Sequence, residues 1–245
     1  MAEYLVFRLY GPLASWGLPA VGGDRQTGLA PSRSAILGFL GAALGIKRED
    51  EQSLVQLQQS ILVAVKQIVP STLLRDFHTA QVPSARKNII HSTRRSELAE
   101  KDLNTVLSNR DYRCDAVWII AIKLTQHSKY TLEQLKTALL MPTYILSLGR
   151  KACPLSLPMM PQIVETEQLR EALDTTFPAI MSSDKADNFW FSSDGWVTYY
   201  WEGNSQDITG KNIMTLHPWD EPVNRQHWQF RQREMYQMSV KKEGE

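Results

Sequence analysis

The chain has 245 residues, of which 43% are hydrophobic and 22% charged, a composition typical of a globular protein. No apolar run approaches the roughly 18 residues that a membrane span requires, and the first residues have no secretory-signal pattern. The two cysteines, Cys114 and Cys153, are too far apart to indicate a disulfide framework or a zinc site. The sequence therefore predicts a cytoplasmic protein without a cofactor.

The net charge of +1 hides an uneven distribution along the chain. Residues 1–154 contain 19 Lys and Arg against 12 Asp and Glu, whereas residues 155–220 contain 3 against 10. A polyanionic partner should therefore contact the first part of the chain. A solvated surface with uneven charge is the alternative, because charge asymmetry alone does not identify a ligand.

The first predicted elements are a strand and a helix, separated by a long loop. Every second residue from Leu5 to Leu9 is large and apolar, which predicts a strand over Tyr4–Leu9 with one well-buried face. Glycines and prolines between residues 11 and 28 exclude regular structure there. An apolar helix is predicted over residues 35–45, since a Ser precedes it and a Gly ends it.

Two more strands and a second helix follow. Ile61–Val69 and Ala116–Leu124 are rich in β-branched residues, and Thr131–Leu140 combines a candidate N-cap with a helical apolar stripe. The order strand, helix, strand, strand, helix is the beginning of a ferredoxin-like, RRM-like α+β fold, whose last strand is expected after Gly149.

Two further regions complete the predicted organisation. Residues 70–115 are too many for a turn and are predicted to be an insertion in a domain over residues 1–155. Residues 156–245 are predicted to form a small β-rich C-terminal region with an aromatic cluster of Phe189, Trp190, Phe191, Trp196, Tyr199, Tyr200 and Trp201. Such a cluster can stack bases, but a role in the core of a small sheet is more common.

Three features of the basic part of the chain point to a nucleic acid. At Ser32-Arg33-Ser34 the free N–H groups of a helix start, two hydroxyls and a guanidinium would form a phosphate seat, although most such helices are only capped. At Gly149-Arg150-Lys151 a glycine permits a tight turn beside two cations. The insertion contains the basic side chains of Arg75, Arg86, Lys87, Arg94 and Arg95, with His78 and His91. A solvated loop is the alternative for this arm.

Nine collinear motifs that cover nearly the whole chain carry a family resemblance, and residues 156–215 match least. These motifs are Gly11–Gly17, Arg25–Gly28, Pro31–Gly38, Leu44–Ile46, Leu74–Thr79, Tyr112–Ala116, Leu148–Leu155, Asp220–Pro222 and Arg233–Tyr236. They resemble the Cas-five family of CRISPR proteins, and within it the CasD branch of type I-E Cascade complexes. One departure is Ser147, which precedes the Leu-Gly-Arg turn where relatives carry a tyrosine; Tyr144 lies one turn earlier.

The resemblance implies a ferredoxin-like (RAMP) domain whose insertion is a thumb-like β-hairpin. It implies a subunit that clamps and caps the 5′ handle of the guide crRNA and contacts the backbone subunit (CasC) and the large subunit (CasA). That assembly recognises target DNA in antiviral defence. The residues then expected to bind RNA are Arg25, Ser32, Arg33, Ser34, Arg75, His78, His91, Arg94, Arg95, Arg110, Tyr144, Gly149, Arg150 and Lys151.

Two other functions stay open on the sequence. In type I-C systems a relative cleaves precursor crRNA, and metal-independent cleavage needs a general acid or base near the 2′-hydroxyl. The candidates His78, His91, Tyr112 and Lys123 form no compact motif, so the sequence predicts a subunit that is not an enzyme. A free-standing RNA-binding domain is disfavoured, because the aromatic motifs of RRM strands are absent.

Overall fold

The computed structural model of this protein describes residues 1–20, 22–85, 89–190, 195–224 and 227–241, without the side chains of residues 188–190. The first elements are β1 (Ala2–Tyr10), β2 (Leu13–Ala14), α1 (Arg33–Leu44), α2 (Glu51–Ser60), β3 (Ile61–Gln67), β4 (Thr72–Pro83), α3 (Arg94–Leu98), β5 (Leu103–Cys114) and β6 (Val117–Leu124). The later elements are α4 (Leu132–Leu140), β7 (Gln162–Thr166), α5 (Leu169–Leu173), α6 (Asp184–Trp190), β8 (Trp196–Trp201), β9 (Met214–Leu216), β10 (Glu221–Asn224), β11 (Gln229–Arg231) and β12 (Met235–Lys241).

The predicted strands and helices of the first 140 residues are confirmed, and their ends have local causes. Ser32 is the N-cap of α1, where its side chain accepts a hydrogen bond from Ala35 N, and Gly45 ends the helix with a φ of 76°. Thr131 begins α4 through a capping box with Gln134. The sequence did not predict α2, whose residues are largely polar.

Seven strands form one central sheet in the order β7-β1-β6-β3-β8-β12-β9. β1 is antiparallel to β6 and β7, and β3 is antiparallel to β6 and β8. β12 lies between β8 and β9 and is antiparallel to both. Strands from both sides of residue 155 therefore pair in a single sheet. The division into two regions at that residue stays a prediction.

Both faces of the sheet are buried. Leu5, Phe7 and Leu9 of β1 pack in the cluster that includes the apolar side chains of α1 and α4. The prediction of a single buried face on β1 is wrong, because Val6 packs with α5 on the other side and Arg8 is only 6% exposed. Burial on both faces explains why β1 and β6 are almost continuously apolar.

A long hairpin leaves the central sheet between β3 and β6. β4 and β5 pair antiparallel over twelve residues, from Thr72 opposite Cys114 to Pro83 opposite Leu103. The short strand β2 pairs with β5, which gives a separate three-stranded sheet. This hairpin occupies the sequence interval predicted to be an insertion.

Three residues of the aromatic cluster in the C-terminal part belong to the core. Tyr199, Tyr200 and Trp201 of β8 are buried, whereas Trp196 is exposed. The side chains of Phe189 and Trp190, and all of Phe191, lie outside the described residues. Among the residues that the structure describes, no helix has the length and hydropathy of a membrane span.

Candidate nucleic-acid interface

The base of the β4–β5 hairpin gathers basic side chains from three parts of the chain. The loop before α1 lies along β5, because Arg25 N donates to the Asn109 carbonyl at 2.8 Å and Asp111 N donates to the Arg25 carbonyl at 3.0 Å. Arg110 lies between these two residues and is the bridge partner of Arg25. We define the hairpin-base cluster as Arg25, Arg75, Arg110, Asp111 and Arg150.

Asp111 is the acid at the centre of this cluster. Its carboxylate is only 4% exposed and accepts two hydrogen bonds from Arg75, from Nε at 2.8 Å and from Nη2 at 3.0 Å. These hydrogen bonds lower the pKa of Asp111, and the charges of Arg75, Arg113 and Arg150 lower it further, against the effect of burial. The ionised carboxylate therefore fixes the direction of a guanidinium whose side chain is otherwise half-exposed.

The turn at Gly149 is pressed against the backbone of β2 and the residues that follow it. Ser15 N donates to the Leu148 carbonyl at 2.9 Å, and Gly149 has a φ of 88°. A Cβ at Gly149 would lie 1.9 Å from the Ser15 carbonyl oxygen, so a side chain cannot fit there without a backbone shift. Gly149 is thus a packing requirement of the turn that presents the next two residues.

Arg150 and Lys151 differ although they are neighbours. The Arg150 guanidinium lies over the Tyr112 ring, 4.8 Å from its centroid, and Nη2 donates to the Arg25 carbonyl at 3.1 Å. Its Nη1 is buried and makes no hydrogen bond. Lys151 is exposed. Arg150 therefore supports the loop that carries Arg25, and Lys151 is the side chain of this turn that faces solvent.

The remaining predicted residues of the insertion lie farther along the hairpin. His78 is on β4, 3.7 Å from the Asp76 carboxylate, and His91 lies 3.9 Å from Glu100. Arg94 begins α3 and pairs with Glu97 within the same helix, while Arg95 is exposed. The structure does not bring these side chains into the hairpin-base cluster. Arg86 and Lys87 lie outside the described residues.

The start of α1 is not an open phosphate seat, which corrects the prediction for Arg33. Asp220 Oδ2 accepts a hydrogen bond from Arg33 N at 2.7 Å, so a carboxylate of this chain already lies at the helix N-terminus. The Arg33 guanidinium is buried, pairs with Glu202 and Glu221, and donates to the carbonyls of Gln58 and Ile61. This guanidinium is fully occupied inside the protein and has no group to offer RNA.

Ser32, Ser34 and Tyr144 also lie away from the hairpin-base cluster. Ser32 caps α1, and its hydroxyl lies 3.1 Å from that of Ser34. Tyr144 N donates to the Ala42 carbonyl, which places this exposed aromatic ring near the opposite end of α1. Ser147, which precedes the Leu-Gly-Arg turn, forms a bridge with Pro154 that closes the Gly149 turn.

The four candidate catalytic residues are not gathered into one site. Tyr112 lies under Arg150 at the hairpin base, and Lys123 lies 5.9 Å from the centroid of the Tyr4 ring. His78 and His91 are on the hairpin with different acidic neighbours. Within the described ranges, no group of three or more His, Cys, Asp and Glu side chains is placed to hold a metal ion.

Two groups of residues that matter here were not predicted as functional from the sequence. Asp111 is an acid between Arg110 and Arg113, and an isolated acid in a basic run is a usable indication of an internal ion pair. The second group is the acids Glu202, Asp220 and Glu221, all of which contact Arg33 from more than 160 residues later in the sequence. Glu202 and Asp220 also form ion pairs with Arg233. Nothing local in the sequence marks those pairs.

Comparisons with known proteins agree on one family. The profile of the family described as CRISPR-associated protein (Cas_Cas5), Cas_Cas5d, matches residues 4–236. The CRISPR system Cascade subunit CasD of Escherichia coli (strain K12) is 36% identical over 181 residues, which cover 71% of this chain and 76% of that protein.

Two solved structures share the fold. One is described as a CRISPR RNA-guided surveillance complex and has a TM-score of 0.65 at 22% identity, covering 98% of this chain and 90% of that chain. The other is described as the crystal structure of a Cas protein and has a TM-score of 0.64 at 23% identity, covering 98% of this chain and 95% of that chain. The fold is therefore the sheet-rich mixed α/β fold of Cas proteins. By the profile and the relative, the chain belongs to the Cas5 family, as its motifs predicted, and to the CasD branch.

Proposed function

We propose that this protein is a non-catalytic subunit of a type I-E Cascade complex that binds and caps the 5′ handle of the crRNA. The observation that carries the proposal is the concentration of cations at the hairpin base. Arg25 and Arg110 are bridge partners there, and Arg75 lies on the opposite face of the hairpin. Lys151 is exposed on the turn that packs against this region. Cations held on rigid backbone suit a polyanion whose path is fixed. Membership of the CasD branch supports the same assignment.

The proposal includes the fold in its finer form. β7, β1, β6 and β3 are consecutive and antiparallel in the central sheet, and α1 and α4 follow β1 and β6 in the chain. This order supports a ferredoxin-like domain of the RAMP kind. The β4–β5 hairpin would then be its thumb. The partners would be crRNA, a backbone subunit of the CasC type and a large subunit of the CasA type, in the cytoplasm.

A revised set of RNA-binding residues follows. Arg25, Arg110 and Lys151 are proposed to contact phosphates directly, and Arg75 to do so in the direction that Asp111 sets. Gly149 and Arg150 are proposed to shape the surface on which RNA lies at the hairpin base. Nearer the tip of the hairpin, RNA is proposed to contact His78, His91, Arg94 and Arg95. Arg33 leaves the set because its guanidinium is buried in ion pairs.

The test measures the salt dependence of crRNA binding to the purified chain. Arg25→Gln, Arg110→Gln and Lys151→Gln should each weaken binding and reduce the slope of log K against log salt by about 0.7 per lost phosphate contact. Lys136→Gln is the matched control, because Lys136 lies on α4 and pairs only with Glu133 of the same helix in the structure as described. Unchanged slopes in all three variants would refute the proposed interface.

A separate test addresses precursor cleavage, the alternative function. His78→Ala, His91→Ala, Tyr112→Phe and Lys123→Ala should leave crRNA maturation by the complete complex intact. A cleaving enzyme should instead lose roughly a hundredfold or more when its acid or base is removed. Loss of cleavage with retained binding in any one variant would overturn the non-catalytic assignment.

A further inference from the structure

A cavity of about 530 Å³ lies beside the start of α1. The loop before α1 forms one wall, β3 and β8 form the floor, and the segment that leads to β10 forms the other wall. Most of its lining is apolar, and the side chains that matter for a ligand are Leu18, Leu29, Val65, Tyr200, Trp219 and Met235. A volume of this size holds a side chain or a small organic ligand.

The cavity also contains a buried carboxylate, one of whose two oxygens accepts no hydrogen bond. Glu202 is 8% exposed, and its Oε2 accepts hydrogen bonds from Arg33 and from Val63 N. Its Oε1 is buried and accepts none. Arg233 Nη1 lies 3.3 Å from Oε1 as an ion pair, without the alignment of a hydrogen bond. A buried acceptor that is left without a donor is costly, so a ligand that supplies one is favoured.

The charges around this acceptor do not balance. Within the described residues, the carboxylates of Glu202, Asp220 and Glu221 are joined by ion pairs to two guanidiniums, those of Arg33 and Arg233. His217, an exposed residue of the rim, and the phenol of Tyr200 are the other titratable groups that line the cavity. Burial raises the pKa of the Glu202 carboxyl, which is the response of an acid that lacks full compensation. The excess favours a ligand group with a positive charge.

The mouth of the cavity suits an apolar stem. Leu18, Leu29 and Trp219 are each about half exposed, and together they form a rim of two aliphatic side chains and an indole. The methylene groups of a long basic side chain pack well against such a surface while its head reaches an acid beyond. A guanidinium or ammonium also gains from contact with an aromatic face.

We propose that this cavity receives one arginine or lysine side chain of a protein partner, with the stem between Leu29 and Trp219 and the charged head on Glu202. A nucleobase is the less favoured occupant, because the excess carboxylate repels the phosphates that accompany a base. The surrounding sequence argues the same way, since residues 155–220 contain 3 basic and 10 acidic residues. The inference goes beyond crRNA binding, and its site shares no charged side chain with the hairpin-base cluster.

The first test uses small probes on the purified full chain, followed by ligand-observed NMR titration. n-Butylguanidinium reproduces an arginine side chain and should bind with a dissociation constant of about 1 mM, which is ordinary for a ligand of its size. Its neutral counterpart, N-butylurea, should bind at least tenfold more weakly. Glu202→Gln and Trp219→Ala should each weaken the guanidinium at least about fivefold.

Control measurements distinguish a charged side chain in the cavity from a neutral ligand or a nucleobase. Trp219→Ala changes an exposed side chain, so it keeps the test valid even if Glu202→Gln fails to fold. Tyr144→Ala removes an exposed aromatic ring outside the cavity and should leave probe binding unchanged. Equal affinity of the charged and neutral probes would overturn the proposal, as would displacement of the probe by cytidine or adenosine at similar concentration.

The second test uses the reconstituted complex. Trp219→Ala should reduce retention of a protein subunit while crRNA retention by the isolated chain stays unchanged. Reduced crRNA retention with all protein subunits retained would refute a protein partner at this cavity. The Arg25, Arg110 and Lys151 variants give the reverse pattern if crRNA binding is assigned correctly, so failure of one proposal is distinguishable from failure of the other.

Discussion

Arginine has opposite roles at two places in this molecule. At the hairpin base, the side chains of Arg25 and Arg75 are exposed. The Asp111 carboxylate pairs with Arg75 and also feels the charges of Arg113 and Arg150. At the start of α1, Arg33 is buried and pairs with the carboxylates of Glu202 and Glu221, so that in the described part of the chain the acids around it outnumber the guanidiniums. The first arrangement leaves positive charge available to a ligand, and the second leaves negative charge.

The difference shows that the balance of charge within a cluster, rather than the presence of arginine, indicates what the cluster binds. A guanidinium that shares one acid with several others keeps donors for phosphate. A guanidinium enclosed by two or three carboxylates has a structural role, and its removal leaves buried charge behind. Each of the following variants tests this distinction by its effect on the free energy of unfolding.

The largest effect is expected for Arg33→Ala. It removes the cation shared by Glu202 and Glu221, so that Glu221 loses its paired guanidinium and Glu202 retains only the ion pair with Arg233. The free energy of unfolding should fall by about 3–5 kcal/mol in chemical denaturation. Arg25→Ala is the matched control and should change it by no more than about 0.5 kcal/mol. Normal stability with lost crRNA binding would return Arg33 to the interface.

A smaller loss, at least about 2 kcal/mol, is expected for Gly149→Ala, because the new Cβ would overlap the Ser15 carbonyl and the residue has a positive φ. Thermal unfolding measures it. Gly38→Ala in α1 is the control, since a Cβ there meets nothing within 4 Å and alanine favours a helix. Equal stability of the two variants would mean that the turn does not press on Ser15.

Asp111→Asn should destabilise the chain less than Gly149→Ala, because its partner Arg75 is half-exposed. The pKa of Asp111 is lowered in the folded state, so its stabilisation is present above the ordinary Asp pKa and is lost as pH falls below it. Unfolding curves between about pH 6 and pH 2 should therefore converge for the variant and the wild type at low pH. Curves that stay parallel would contradict the ionised pair.

The smallest effect on stability is expected when residues 80–108 are replaced by a short Gly/Ser loop. The removed parts of β4 and β5 pair with each other and not with the central sheet, while Asn109, Arg110 and Asp111 keep their contacts with the pre-helix loop. The variant should fold and still bind crRNA through the hairpin base, more weakly because His91, Arg94 and Arg95 are removed, and should fail to assemble with a backbone subunit. Global unfolding on removal would show that the hairpin is part of the core.

A feature of this protein could be predicted from the sequence when the residues that form it are close together along the chain. The Ser32 cap, the Gly45 stop and the Thr131 capping box act within four residues, so α1 and α4 are predictable. The role of Arg33 depends on Glu202, 169 positions away, and that of Arg150 on a carbonyl 125 positions away. Such pairs become visible only when the chain is folded.

The helix α2 and the second buried face of β1 were missed for a different reason. α2 buries only Leu57 and Ser60, so it has almost no apolar periodicity to detect. On β1, Arg8 looks like a solvent-facing residue, yet its guanidinium donates to the Pro178 carbonyl beneath a covering segment. A polar residue in a strand thus does not reveal whether another part of the chain covers it.

The position of β12 has a consequence for how the protein is made. This strand is the last of the sheet to be synthesised, yet it lies between β8 and β9 and supplies the hydrogen-bonding partner of each. Until it emerges from the ribosome, β8 presents an open edge that carries buried-type aromatic residues, which is the kind of edge that recruits strands from other chains. Yield of soluble protein should therefore depend on chaperone supply and growth temperature more steeply than the equilibrium stability of the finished fold would suggest.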